Sequence, residues 1–347
     1  MEHRRLGTHG PIIPAIGLGF WSIGGAFGPA DAAESRATIT RAIELGATLF
    51  DTAPVYGDSE AFLGATLSAA QRAQIFLTTK CGLVPDAATG RLRLDSHPVA
   101  LRRQLEDSLR RLRCDWVDLL LIHWPDPTVP IAEAVGALDA LRQAGLTRYI
   151  GVSNFSAAQL GEACRTAPIT CNQVGYHLFD RRWEHAMFPA AAELGVAVVA
   201  YSPLAHGLLS GSLDRAALHP DDWRAHGDTL ASQRLFTAEN LPHNIAIAQQ
   251  MAALIARSGV TLAQAAIAWA LAHPQVTSAI TGSRRVARLE ENAGALDFKL
   301  DADLHSRLMR LGDSAHGLDQ QIPIWPTADR EPASQIPNPE GLGVRPT

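Results

Sequence analysis

The chain has 347 residues, of which 47% are hydrophobic and 19% are charged, and its formal net charge is −5. A chain of this length can form one α/β barrel with a sizeable core. The acidic balance argues against a nucleic acid or an anionic membrane surface as a partner. No apolar run approaches the roughly 18 residues of a transmembrane helix, and the N-terminus lacks the apolar stretch of a signal peptide.

The cysteine pattern argues against a metal site and indicates a compartment. Cys81, Cys114, Cys164 and Cys171 include no pair at zinc-ligand spacing, so we predict no metal. Four thiols in so long a chain are not typical of a disulfide framework, which favours a reducing cytoplasm. We therefore expect a cytoplasmic protein, and nothing in the sequence predicts its oligomeric state.

Short apolar runs and helical patterns alternate along most of the chain. A turn with the sequence GTHG at 7–10 predicts a small N-terminal hairpin. Eight strands are predicted after it, at 15–18, 48–50, 75–79, 117–122, 149–152, 170–174, 197–200 and 276–280. Helices are predicted at 34–45, 59–68, 134–144 and 285–295, with one more carrying the leucines 101, 105, 109 and 112 and another capped by Ser156.

Eight strands followed by helices predict a (β/α)8 TIM barrel of the α/β class. The competing architecture is a doubly wound sheet. Against it, Gly17-Leu-Gly19 lacks the third glycine of a dinucleotide fingerprint, and no helix begins there. The barrel is therefore the predicted fold, with the hairpin before its first strand.

Three segments fall outside the strand and helix alternation. Long loops are predicted after the first strand, at 20–33, and after the seventh, at 202–240, and loops of this length are usually functional or disordered. Residues 1–311 would form the barrel. The Pro-rich tail at 312–347, with an apolar group of Ile322, Ile324 and Trp325, would be disordered or lie over the barrel mouth.

Four polar residues, Asp51, Tyr56, Lys80 and His123, lie at or just after the ends of predicted strands. We call them the tetrad. A barrel enzyme builds its site from side chains at the carboxyl ends of different strands. A carboxylate, a phenol, an amine and an imidazole can together hold and move a proton beside a carbonyl. Each residue alone is more simply a turn, a strand end or a surface charge, but the joint pattern favours catalysis.

Five segments in chain order resemble the aldo-keto reductase superfamily over nearly the whole length. They are DTAPVYGDSE at 51–60 with Leu63-Gly64, LIHWPD at 121–126, GVSNF at 151–155, YSPLA at 201–205 with GLL at 207–209, and ITGS at 280–283 with Arg288 and EEN at 290–292. The resemblance implies an NAD(P)(H)-dependent oxidoreductase that interconverts an aldehyde, ketone or sugar and its alcohol by hydride transfer. No nucleic acid or membrane is an expected partner.

The resemblance also implies a role for each member of the tetrad. Tyr56 would donate the proton to the carbonyl oxygen, and it would act as the base in the reverse direction. Lys80 would lower the pKa of Tyr56, because a nearby cation favours the phenolate. Asp51 would pair with Lys80, since a lone charge inside a barrel is costly. His123 would bind and orient the substrate oxygen.

The remaining site residues follow segment by segment from the same resemblance. Ser153, Asn154 and Gln173 would bind the nicotinamide carboxamide, Tyr201 would stack on its ring, Ser202, Leu204 and Gly207 would line the pyrophosphate path, and Gly282, Ser283, Arg284, Arg288, Glu291 and Asn292 would hold the adenosine end. Trp21 and Trp124 would line the substrate pocket or simply cap the core.

The adenosine segment departs from the family pattern in two places. Many NADP-preferring members carry a lysine where Gly282 stands, and many other members have a glutamine where Arg288 stands. Arg288, with Arg284 nearby, could grip a 2′-phosphate, so we predict NADP(H) in preference to NAD(H).

Three alternatives remain open. The protein could be an aldose or pyranose dehydrogenase that works in the oxidative direction. It could be a regulatory subunit that senses NADP(H) with little turnover, although an intact tetrad argues against pure sensing. A non-catalytic scaffold barrel would bind no cofactor.

Overall fold

Eight parallel strands close into one barrel in the computed structural model, which describes residues 1–86, 92–225 and 231–318. The strands in these residues are β1 (His3–Arg5), β2 (Ile12–Pro14), β3 (Ile16–Gly19), β4 (Leu49–Asp51), β5 (Phe76–Cys81), β6 (Leu83–Pro85), β7 (Leu92–Leu94), β8 (Val117–Ile122), β9 (Thr147–Ser153), β10 (Ile169–Gly175), β11 (Ala197–Tyr201) and β12 (Val276–Gly282). The α-helices are α1 (Ala32–Glu44), α2 (Ser59–Thr66), α3 (Ala69–Arg72), α4 (Pro98–Leu112), α5 (Ile131–Gln143), α6 (Ala157–Thr166), α7 (Met187–Glu193), α8 (Leu241–Ile255), α9 (Leu262–Ala272), α10 (Val286–Ala293) and α11 (Ala302–Gly312).

The barrel runs in the order β3-β4-β5-β8-β9-β10-β11-β12 and closes by pairing β12 with β3. The predicted (β/α)8 fold is confirmed. The predicted hairpin is also present, as the antiparallel pair β1-β2. Leu6 and Ile13 from this hairpin belong to the same apolar cluster as the barrel-interior residues Leu119 and Val199. The hairpin therefore closes the end of the barrel at which the strands begin, and the opposite end is left for the site.

The strand and helix patterns follow from burial. Every residue of β8 is buried, which explains a continuous apolar run in place of an alternating one. All four leucines of the predicted stripe on α4 are buried, because their spacing places them on one face of the helix. Ser156 begins α6 with a capping box: its hydroxyl accepts from the backbone of Gln159, and the Gln159 side chain accepts from the backbone of Ser156.

Several elements were not predicted from the sequence. Helix α9 is buried on nearly all sides, with nine of its eleven residues buried, so its sequence LAQAAIAWALA shows no polar face. Helix α7 carries Pro189 in its first turn, and α8 and α11 lie in the part of the chain where the sequence prediction marked no boundaries. The short hairpin β6-β7, which lies between β5 and α4, was also not predicted.

The two long loops meet above the open end of the barrel. The loop after β11 contains 3-10 turns at Ala205–Ser210 and Trp223–Ala225, so it is not structureless. Asp222 forms an antiparallel bridge with Phe27 of the loop after β3. The Trp223 ring stacks on Trp21 with 5.8 Å between centroids. These contacts join the two loops into one cover over one side of the barrel mouth.

Helix α11 ends at Gly312, and the following residues pack onto α8. The backbone N–H of His316 donates to Asn244 Oδ1 at 2.8 Å, and Asn244 Nδ2 donates to the His316 carbonyl at 3.0 Å. Residues 319–347, which include Ile322, Ile324 and Trp325 of the predicted tail, lie outside the described residues. None of the helices in the described part of the chain is both long and apolar enough to cross a bilayer.

Candidate active site

A cleft of about 610 Å³ opens at the carboxyl ends of the barrel strands. Of the residues predicted for the site, all but Lys80 line this cleft; they are Trp21, Asp51, Tyr56, His123, Trp124, Ser153, Asn154, Gln173, Tyr201, Ser202, Leu204, Gly207, Gly282, Ser283, Arg284, Arg288, Glu291 and Asn292. One continuous cleft therefore contains both the tetrad end and the end predicted for adenosine.

Lys80 is buried behind the cleft and pairs with Asp51. Its Nζ donates to Asp51 Oδ1 at 2.6 Å and to the Thr52 carbonyl at 3.0 Å. The pair forms because β4 and β5 are neighbours, and both side chains are almost fully buried. Burial lowers the pKa of Lys80, while the Asp51 carboxylate opposes that effect. The close pairing is what makes a buried ammonium tolerable.

Tyr56 and His123 face each other at this end of the cleft. The Tyr56 hydroxyl lies 3.5 Å from His123 Nε2, and the two rings meet edge to face. This distance is at the outer limit of a hydrogen bond. Both atoms can therefore reach one further oxygen placed beside them, as a carbonyl substrate would require.

The pKa of Tyr56 differs from the sequence-based expectation. Burial raises this pKa well above its usual value, and the Asp51 carboxylate raises it further. Lys80 Nζ lies 4.8 Å from the centre of the tyrosine ring, but its charge is compensated by Asp51 at 2.6 Å. The net effect of the surroundings is therefore a raised pKa, and the lowering contribution of Lys80 stays a prediction. At neutral pH Tyr56 carries its proton.

His123 is neutral in the folded protein. Burial lowers its pKa well below the usual value, and the charge of Lys80 lowers it further. A neutral imidazole can donate through one ring nitrogen and accept through the other. The Asn154 amide also donates to the backbone carbonyl of His123 at 3.0 Å, which fixes the chain at this point.

The residues predicted to bind a carboxamide form one hydrogen-bonded group. Ser153 Oγ donates to the Gln173 carbonyl at 2.7 Å, and Asn154 Nδ2 donates to Ser153 Oγ at 3.0 Å. The Tyr201 hydroxyl donates to Asn154 Oδ1 at 3.0 Å. The Gln173 amide donates to Asp51 Oδ2 at 2.7 Å. This group therefore adjoins the tetrad through Gln173.

The segment after β11 adopts a rare backbone. Ser202, Ala205 and His206 have positive φ angles of 52°, 47° and 54°, a region that non-glycine residues seldom adopt. Gly207 follows with φ of 100°, which only glycine accepts readily. Ser202 Oγ lies 3.2 Å from His206 Nδ1. Backbone strain of this kind is concentrated at functional sites, and this segment borders the cleft.

The far end of the cleft holds the residues predicted for adenosine. Asn292 Nδ2 donates to Ser283 Oγ at 3.1 Å. Arg288 pairs with Glu291 at 2.6 Å and donates to Ser212 Oγ at 3.2 Å, and half of its side chain is exposed.

Arg284 takes a role that the sequence did not predict. Its NH1 group lies within hydrogen-bond distance of three backbone carbonyls in the loop after β3, those of Phe27, Gly28 and Pro29. Arg284 therefore anchors that loop to the end of β12, and Arg288 is the arginine better placed to meet a ligand.

Several residues that line the cleft were not predicted from the sequence. Phe27, His206, Trp223 and Arg224 come from the two long loops, and Leu83 and Leu92 come from the β6-β7 hairpin.

Trp124 packs with Ala53, Val55 and Leu83 in a small apolar cluster beside Tyr56.

Among residues 1–86, 92–225 and 231–318, no group of three or more His, Cys, Asp or Glu is placed to hold a metal ion.

Comparison with known proteins agrees with this geometry. A model of the aldo/keto reductase family matches residues 15–313. The chain is 32% identical over 326 residues to an aldo-keto reductase of Schizosaccharomyces pombe named yakc and labelled NADP(+), covering 92% of this chain and 94% of the relative. It is also 32% identical over 328 residues to an NADH-specific methylglyoxal reductase of Escherichia coli, covering 89% of this chain and 98% of that protein.

A solved structure supports the same assignment. The glycerol dehydrogenase AKR11B4 from Gluconobacter oxydans superimposes with a TM-score of 0.78 and is 31% identical in sequence, over 94% of this chain and 98% of that chain. The chain belongs to the aldo/keto reductase family and is an NAD(P)H-dependent oxidoreductase that interconverts carbonyl compounds and alcohols.

Proposed function

We propose that Tyr56 is the general acid–base of this reaction and that His123 binds the substrate oxygen beside it. The observation that carries the proposal is the 3.5 Å approach of the Tyr56 hydroxyl to His123 Nε2, above the buried Lys80–Asp51 pair and at one end of a long cleft. A carbonyl oxygen placed beside both atoms would receive a proton from Tyr56 and a hydrogen bond from His123.

The raised pKa of Tyr56 suits the reductive direction. A phenol that stays protonated at neutral pH is ready to donate when negative charge develops on the carbonyl oxygen. The Lys80 ammonium, 4.8 Å from the ring centre, stabilises the phenolate that remains after the transfer. Asp51 keeps that ammonium charged in a buried position. In the oxidative direction Tyr56 acts as the base and accepts the proton of the alcohol.

The donor set of the cleft fits a nicotinamide dinucleotide, which supplies or accepts the hydride when it is bound. Amide and hydroxyl groups of Ser153, Asn154 and Gln173 lie next to the tetrad and suit a carboxamide, and Tyr201 lies beside them. The glycine backbone at Gly207 and the hydroxyl of Ser202 suit a pyrophosphate path, with Leu204 between them. Ser283 and Asn292 close the far end.

We propose NADP(H) as the preferred cofactor, with Arg288 as the residue that meets the 2′-phosphate. Arg288 lies in the cleft with half of its side chain exposed, beside the hydroxyl of Ser212. Its pairing with Glu291 would have to loosen for a bidentate contact. Among the relatives, the yeast protein is labelled NADP(+) and the bacterial methylglyoxal reductase is NADH-specific, so the preference rests on Arg288.

The substrate end of the cleft favours a small uncharged carbonyl compound. Trp21, Trp124, Val55 and Leu83 line the cleft around Tyr56, and these side chains offer apolar contact and no ionic partner. The names of relatives, methylglyoxal reductase and glycerol dehydrogenase, are compatible with a small substrate. We place the substrate between Trp21 and Trp124.

The remaining proposals concern organisation and location. We propose residues 1–311 as the catalytic barrel and 312–347 as the C-terminal tail, in line with the family match that ends at 313. We propose a cytoplasmic location, because all four cysteines are free thiols and two of them, Cys81 and Cys171, are buried.

A substrate panel tests the function. NADPH and NADH oxidation would be followed with aldehydes, ketones and free sugars, and the reverse reaction would be followed with alcohols and polyols. The proposal predicts turnover of at least one small carbonyl compound, with NADPH the better donor. Tight cofactor binding without turnover on any member would favour a cofactor-sensing protein instead, and the absence of cofactor binding would favour a scaffold.

A further inference from the structure

Glu60 is a buried carboxylate to which the proposed reaction assigns no task. It is the second residue of α2, and only 1% of its side chain is exposed. Its Oε1 accepts from Thr79 Oγ1 at 2.6 Å, and its Oε2 accepts from Arg111 Nε at 2.7 Å. Both oxygens are therefore held, so the carboxylate has a fixed position behind β5.

The Thr79 partner of Glu60 is the residue next to Lys80. Thr79 and Lys80 are neighbours on β5, and adjacent side chains of a strand point to opposite faces. Lys80 points to Asp51 inside the barrel, while Thr79 points outward to Glu60 in the helix layer. The two carboxylates thus lie on opposite sides of the strand that carries the ammonium.

A second contact from the same helix turn reaches Lys80 by another path. Ser59 Oγ lies 2.7 Å from Thr52 Oγ1, and both groups are buried. The backbone carbonyl of Thr52 accepts from Lys80 Nζ at 3.0 Å. The first turn of α2 therefore supports β5 through Glu60 and the lysine acceptor through Ser59.

Gly64 explains how Arg111 reaches this carboxylate. A Cβ atom at Gly64 would lie 2.2 Å from the Arg111 carbonyl oxygen and 2.7 Å from the Leu112 carbonyl carbon. Only glycine lets α2 pack this closely against the end of α4. The close approach brings Arg111 to Glu60. Residues 60–64 therefore contain both the carboxylate and the glycine that lets Arg111 reach it.

We propose that Glu60 is a positioning residue for the reaction, which holds β5 at Lys80 and electrostatically stabilises the lysine ammonium from behind the barrel wall. This inference rests on the proposed roles of Tyr56 and Lys80. Glu60 touches neither the substrate nor the cofactor cleft.

The charges around Lys80 are consistent with this role. Burial lowers the pKa of Lys80, and the carboxylates of Asp51 on β4 and Glu60 on α2 oppose that effect. Cys171 on β10 also faces Lys80, but burial raises the pKa of its thiol to about 12, so it is uncharged at pH 7. Tyr56 and His123 are the other titratable groups that face Lys80, and both are neutral at pH 7. Arg111 of α4 is the cation on the far side of Glu60.

The test is the pH profile of kcat for the substitution Glu60→Gln. Glutamine keeps the shape and an acceptor for Thr79 but removes the charge. The proposal predicts that kcat falls about tenfold and that NADPH affinity changes less than about twofold. It also predicts that the basic limb of the profile, the fall of kcat at high pH, moves to lower pH by about half to one unit. A fall of kcat at high pH that is seen in this variant but not in the wild type also agrees with the proposal.

Two further variants separate this effect from a general loss of structure. Arg111→Gln removes the opposing cation, so the basic limb should move to higher pH, by less because Arg111 is partly exposed. Asp118→Asn is a matched control, because Asp118 is a buried carboxylate on β8 that pairs with Arg72 away from the cleft. It should lower stability without moving the limb.

The inference is overturned if the pH profile of kcat for Glu60→Gln has the same shape as that of the wild type, even if kcat itself is lower. If that variant does not fold, an unmoved limb in Arg111→Gln overturns it. Turnover that survives in Tyr56→Phe would instead overturn the proposed function itself. If Tyr56→Phe is inactive and the fall of kcat at high pH is unchanged in Glu60→Gln, only the role of Glu60 is overturned.

Discussion

Both carboxylate oxygens of Asp51 are engaged, one by Lys80 at 2.6 Å and the other by the Gln173 amide at 2.7 Å. Gln173 is the residue that the family resemblance assigns to the nicotinamide carboxamide. Its amide nitrogen donates to Asp51, so the carboxylate that fixes Lys80 is itself fixed by a residue predicted to bind the cofactor. The separation of 122 positions between them explains why no sequence pattern indicates the contact.

The tetrad was predictable at the residue scale because each member lies at or just after a strand end, and parallel strand ends meet at one edge. The protonation of Tyr56 was not predictable. It depends on the extent of burial and on how close the Asp51 carboxylate lies, and the sequence contains neither quantity. The same limit applies to Arg284, whose backbone partners belong to a loop about 255 positions away.

Substitution of Arg288 tests the cofactor preference. Arg288→Gln should weaken NADPH binding by about 10- to 100-fold, because a charge-assisted contact with a phosphate is worth roughly 1.5–3 kcal/mol. NADH affinity should stay within about twofold. Fluorescence titration with both cofactors measures this, and Arg284→Gln serves as the neighbouring control. Equal losses for NADPH and NADH would show that Arg288 does not read the 2′-phosphate.

At the scale of elements, the helix contacts that position the site depend on small residues. Helix α2 can approach α4 only because position 64 has no side chain, and this approach brings Glu60 and Ser59 behind the tetrad. The sequence marked this glycine as part of a family segment. The structure supplies the physical reason.

A pair of glycine substitutions tests this packing. Gly64→Ala should lower the free energy of unfolding by about 2–4 kcal/mol, because its Cβ would meet backbone atoms that cannot move aside. Gly136→Ala in α5 should be neutral or stabilising by up to about 1 kcal/mol, since nothing lies within 4 Å of the new atom and alanine favours the helix. Urea unfolding measures both. Equal effects would mean that the α2–α4 approach is not constrained at Gly64.

Two regions that escaped prediction depend on burial and on contacts between distant parts of the chain. Helix α9 has no polar face because it is buried, and the loop after β11 is ordered by ring contacts such as Trp21 with Trp223 and Trp223 with Phe236. Contacts of this kind join distant parts of the chain. Local periodicity therefore gives the barrel strands but not the cover over the barrel mouth.

At the scale of the whole molecule, three buried histidines make stability depend on pH. Burial lowers the pKa of His177 and of His206 to about 3 and places that of His123 well below its usual value. In the unfolded chain each would titrate near about 6.5. Between these values the unfolded state binds more protons, so the folded state loses stability as the pH falls below about 6.5.

The expected loss is about 2 kcal/mol per histidine between pH 7 and pH 5, because each pH unit below the unfolded-state pKa costs about 1.4 kcal/mol. His206→Gln should remove about one third of the stability loss that the three histidines cause. Buried Asp118 and Asp180, whose pKa values are raised mainly by burial, act in the opposite sense. The difference between wild type and variant in urea unfolding from pH 7 to pH 5 is therefore the measured quantity. Parallel curves would refute the neutral state of His206.

The most direct measurement of the central claim is kcat for Tyr56→Phe with the best substrate of the panel, together with the affinity for NADPH. The account predicts that kcat falls by about 10²- to 10⁴-fold, because the proton donor is lost, while the dissociation constant for NADPH stays within about twofold. Retention of kcat within about tenfold of the wild type would contradict the assignment of Tyr56 as the general acid–base.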